Sequence, residues 1–129
     1  MKIILHITPR IAWESSVHTG YYKPSSLESE GFIHCSTIEQ TESTANLYFT
    51  NQKGLVLLCI DENRLEPKVK YEASAGGIVD EKRTESLFPH LYGPLNVSAV
   101  VRVVEFTPNA DGNFVLPAEI RRLTKGLDE

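Results

Sequence analysis

Between residues 3 and 36 an apolar run twice ends in a histidine, one further residue and a small hydroxyl. A segment that reads as a helix start follows each time. The first run is Ile3-Ile4-Leu5-His6-Ile7-Thr8 and the second is Gly31-Phe32-Ile33-His34-Cys35-Ser36. This commits the first half of the chain to two short strand-to-helix units. Residues two apart on a strand share a face, so each motif is expected to set an imidazole and a hydroxyl side by side at a strand end.

The local signals extend this reading. Lys2 to His6 reads as a buried strand. Thr8 and Pro9 suit the cap and first position of a helix running through Trp13 and Val17 to a stop at Gly20. Tyr21 to Ser26 reads as a short strand or loop, with a helical turn up to Gly31. After the strand Phe32 to Cys35, Ser36 and Glu39 have the spacing of a capping box, and the helix continues to about Phe49. Gly54 to Ile60 is the clearest strand. An Asp61-Glu62-Asn63 turn and a short strand from Val69 to Glu72 follow.

The second half is dominated by strands. Ala73 to Glu85 is polar and glycine-bearing and reads as a mobile loop. Ser98 to Phe106 is a strong strand, Asp111 to Asn113 a turn and Phe114 to Leu116 a short strand. Two N-terminal helices with five to seven strands favour α+β over a regular α/β alternation. The expected domain spans 1–117, with a charged, fraying C-terminal tail over 118–129.

Composition enters through what it excludes. A net charge of -4 provides no broad basic field, which argues against a chain that coats nucleic acid. Cys35 and Cys59 lack a paired spacing, and no Cys/His metal cluster is visible, so no metal is expected. The N-terminal apolar run is too short and too polar for a leader or a membrane span. The expectation is a cytoplasmic protein with reduced, buried thiols and no membrane partner.

Histidine is the side chain suited to proton transfer near neutral pH. Of the four in the chain, His6 and His34 stand in the motifs above. A helix N-terminus after each would favour an anionic ligand such as phosphate. The structural alternative makes His6 a semi-buried ring, with Thr8 and Ser36 only capping helices. Glu72, at a strand end beside the loop, is a candidate general base or ribose-binding group, or else a solvated carboxylate. His90 lies in the stiff run Leu87-Phe88-Pro89-His90-Leu91-Tyr92-Gly93-Pro94-Leu95, which suits a ligand contact or a rigid connector. His18, near a helix end, reads as solvated.

The ordered segments Leu5-His6-Ile7-Thr8, Trp13, Ser26-Leu27, Gly31 to Ser36 with Gln40, and Leu87 to Leu95 resemble the bacterial and plant family known as domain of unknown function 952. That family is more distantly similar to the ADP-ribosyltransferase superfamily. The resemblance implies a split, antiparallel-rich β-sheet core. It also implies NAD as cofactor, with His6, His34 and Glu72 as catalytic residues. Thr8, Ser26, Gly31, Ser36, His90 and Tyr92 would line the cofactor site. In that arrangement Glu72 binds the ribose 2′-hydroxyl and stabilises an oxocarbenium-like centre. His34 stands where tyrosine is commoner.

Three functions compete. One is an NAD-using transferase or hydrolase. The second is a paired-histidine phosphoesterase acting on 2′,3′-cyclic phosphates, for which motifs 28 residues apart are closely spaced. The third is a non-catalytic module that binds a nucleotide or another anionic small molecule.

Overall fold

The run Leu55 to Ile60 is apolar at every position because both faces of its strand are covered. The computed structural model describes residues 2–73 and 87–127, with the backbone alone for 124–127. In chain order the strands are β1 (Ile3–Pro9), β2 (Tyr21–Tyr22), β3 (Ile33–His34), β4 (Ser36–Thr37), β5 (Leu55–Asp61), β6 (Lys68–Ala73), β7 (Leu87–Tyr92), β8 (Leu95–Asn96) and β9 (Val100–Phe106). The helices are α1 (Arg10–Val17), α2 (Ser25–Ser29), α3 (Ile38–Tyr48) and α4 (Ala118–Leu127). A central sheet has the order β4-β1-β5-β9, an outer sheet the order β3-β7-β6, and β2 pairs with β8. Every pairing among the described residues is antiparallel. The fold is thus a single mixed α+β domain, as the sequence suggests.

Two apolar layers hold the central sheet. On one face Ile4, Val56, Leu58 and Ile60 meet Trp13, Tyr22, and Ile33 and Leu91 of the outer sheet. On the other, Ile3, Leu5, Leu57 and Cys59 meet Ala45 of α3, Phe106, Phe114 and Ile120 of α4. Each fully buried aliphatic chain in these layers stabilises the fold by about 2 kcal/mol.

Several local expectations are corrected. Thr8 does not cap α1. Its strand continues to Pro9, pairing Thr8 with Val56, and the Thr8 side chain turns inward. Pro9 takes the cap position without a side-chain bond, and Gly54 O accepts from the Arg10 N–H. α1 ends at Val17, and Gly20, at φ +84, makes the turn into β2. The capping box lies one residue later than expected, between Thr37 and Gln40, because Ser36 is held in the ladder opposite Leu5. These bonds take up the N–H of Arg10 at the start of α1 and of Gln40 at the start of α3.

Other differences lie in the second half. Ser98 falls in a 3₁₀ turn, Val97–Ala99, ahead of β9. Residues 114–116 form no strand. Side chains satisfy their backbone instead: Asn46 bonds both N–H and C=O of Phe114, and Glu42 accepts from Leu116 N–H. The expected fraying tail forms α4, whose buried Ile120 anchors it to the core. Most of the expected mobile loop, 74–85, lies outside the described residues. No described helix is long and apolar enough to cross a membrane.

Candidate functional site

The first histidine motif is spent inside the protein. His6 and Thr8 share the face of β1 that looks toward the outer sheet, and both meet the Tyr22 hydroxyl. His6 Nδ1 donates to the His34 carbonyl at 2.6 Å. A carbonyl only accepts, so Nδ1 carries the proton and Nε2 accepts from Tyr22 Oη at 2.8 Å. Tyr22 Oη then accepts from Thr8 Oγ1 at 2.7 Å. Burial disfavours the imidazolium and lowers the His6 pKa to about 4, so the ring is neutral near pH 7.

The second motif divides at Cys35. β3 belongs to the outer sheet and β4 to the central one, so the chain changes sheets across a single residue. His34 and Ser36 therefore do not share an environment, contrary to the expectation from strand alternation. Ser36 is buried and bonds Thr41 Oγ1. His34 reaches the outer surface, with 44% of its side chain exposed.

Around His34 the outer sheet builds a polar and aromatic face. β3 sets His34 opposite His90 of β7, and β6 sets Lys70 opposite His90 on its other side. The two imidazoles meet edge to face with centroids 5.5 Å apart. Phe32 stacks on His90 at 4.1 Å and touches the edge of His34 at 4.8 Å. His34 Nε2–H donates to Glu30 at 2.7 Å. His90 Nδ1–H donates to Glu72 Oε1 at 3.0 Å, and the Tyr92 hydroxyl donates to the same oxygen. The Tyr92 bond, then the His90 bond, hold the Glu72 carboxyl below the usual carboxylate range.

Thus Glu72, His34, His90 and Tyr92 are brought together, while His6 and Thr8 lie behind them and touch the group through the His34 carbonyl. Ser26 and Gly31 serve the turn into β3. Ser26 Oγ donates to Phe32 O, and Gly31, at φ +88, bonds the Ser26 and Leu27 carbonyls through its N–H. That φ favours glycine, and the turn aims Phe32 outward.

Phe32, Glu30 and Tyr22 were not among the residues expected here. The alternation Phe32-x-His34 on one strand and Phe88-x-His90-x-Tyr92 on another was the available signal for Phe32. Tyr22 had none, since only the tertiary fold brings it to His6. Among the described residues no group of three or more His, Cys, Asp or Glu is placed to hold a metal.

The chain belongs to the family described as "Protein of unknown function (DUF952)", whose model matches residues 7–103. It is similar to the crystal structure of protein CC0527 from Caulobacter crescentus, with 35% identity and a TM-score of 0.78 over 93% of this chain and 99% of that one. The solution NMR structure of the same protein matches with 38% identity and a TM-score of 0.71, over 88% of this chain and 91% of that one. No curated protein matches the chain.

Proposed function

We propose that the outward face of β3-β7-β6 binds a nucleotide of the NAD class and acts at its ribose through Glu72. The observation that carries this reading is the state of the Glu72 carboxylate. Two donors fix one oxygen, the group is held charged, and 39% of its side chain stays exposed. A fixed, ionised carboxylate suits accepting a ribose hydroxyl and stabilising positive charge that develops on a sugar. His34, on the far side of His90 from Glu72, is the exposed imidazole for a polar contact or proton transfer. His90 and Tyr92 position Glu72, and Phe32 supplies an aromatic wall. His6 and Thr8 support β3 from behind.

Exposure favours this reading over the paired-histidine phosphoesterase. Such an enzyme needs two imidazoles that both reach the substrate. His6 is buried, and the His90 side chain is 3% exposed. His34 is then the one imidazole of the three positioned to act directly.

Calorimetric titration with NAD tests the reading, with Glu72→Gln and His34→Ala in parallel. Saturable binding that both substitutions weaken is the expected result. Binding unchanged in both, or none up to millimolar NAD, would refute it. Binding without turnover over long incubation would make the chain a ligand-binding module.

A further inference from the structure

Along β6 the outward side chains are Lys68, Lys70 and Glu72, placed by two-residue alternation. Each step is about 7 Å, comparable with the separation between a ribose and the diphosphate it carries. Tyr92 ties this row together. Its hydroxyl donates to Glu72, while the Lys70 ammonium lies over its ring, 4.8 Å from the centroid. One rigid side chain therefore sets the spacing between a carboxylate and an ammonium. Lys68 stands opposite Tyr92 in the pairing and extends the positive end.

We infer that Lys70, extended by Lys68, holds the diphosphate of a ligand whose ribose lies at Glu72, so that the ligand runs along β6. This rests on the ribose-site reading above and gives it a direction. The charge order fits a ligand with a cationic ring beside its ribose and an anionic diphosphate further along. The pyridinium end meets Glu72, and the diphosphate meets Lys70 and Lys68.

The test compares NAD with nicotinamide riboside, which keeps the cationic ring and ribose but lacks the diphosphate. Each is titrated by calorimetry into the wild-type protein, Lys70→Met and Glu72→Gln. Lys70→Met is expected to weaken NAD about fivefold, the scale of one exposed charge contact, and to leave nicotinamide riboside unchanged. Adding Lys68→Met should weaken NAD further and flatten the salt dependence of its binding. Glu72→Gln should weaken both ligands. If Lys70→Met affects both equally or neither, while Glu72→Gln weakens both, the diphosphate assignment is wrong and the ribose site survives. If Glu72→Gln affects neither, or the wild-type protein binds neither, the ribose site fails and the assignment falls with it.

Discussion

The two histidine motifs share one local pattern and end in opposite environments. His6 and Thr8 remain on one strand of the central sheet, covered by the outer sheet, and every polar atom of their side chains is used within the core. His34 and Ser36 are parted by a change of sheet. One side chain goes to the surface and the other to the interior. The comparison shows that the two-residue rule holds only while a chain stays in one sheet. It also separates two kinds of histidine: one held as a neutral ring inside the fold, and one exposed at the surface.

The widest separation should appear on removing the rings. His6→Ala leaves a cavity and two unpaired polar groups, and urea denaturation should show a loss of about 4 kcal/mol. His34→Ala should cost about 1 kcal/mol or less, since its Glu30 pair is exposed. Comparable losses would erase the distinction.

Acid should then act through His6. Its folded pKa of about 4 lies below the ordinary 6.5, so in that interval the unfolded chain binds the extra proton. Stability from this group is present in full above pH 6.5 and is lost as pH falls toward about 4, by about 3 kcal/mol in all. Stability against pH for wild type and His6→Gln should diverge across that window. Parallel curves would show that the ring is not held neutral.

Tyr22→Phe removes the hydroxyl between His6 and Thr8 and should cost about 2 kcal/mol, read from the same denaturation curves. The smallest effect belongs to the outer face. Tyr92→Phe removes the leading cause that holds the Glu72 carboxyl low, so its titration, followed by carboxyl carbon NMR, should move upward. Stability should change by about 0.5 kcal/mol or less. An unmoved Glu72 would mean that Tyr92 does not position it.

What the sequence made legible follows from how local each signal is. β5 was plain because an unbroken apolar run needs burial on both faces, and Leu55 to Ile60 has it. The outer-face cluster was half legible. His34, Glu72, His90 and Tyr92 could be named singly, but which of them meet depends on the register of β3, β7 and β6. The role of Tyr22 was not legible, because it depends on a contact with a ring 16 residues away. Thr8 and Ser36 misled for one reason. A small hydroxyl before a helix reads as a cap, and tertiary pairing kept both in strands. The C-terminal helix was obscured by its charge; among its described side chains, buried Ile120 and partly buried Leu123 pack against the core.

The change of sheet at Cys35 also bears on the kinetics of encounter. Cys35 N–H donates to Pro89 O, the carbonyl before it is taken by His6, and the residues on either side belong to different layers. The layers are riveted at that corner. A ligand of the proposed kind would therefore meet, at His34 and Glu72, a surface already assembled, without waiting for the layers to part. Its association should follow a single exponential whose rate rises linearly with concentration, with no plateau set by an opening step.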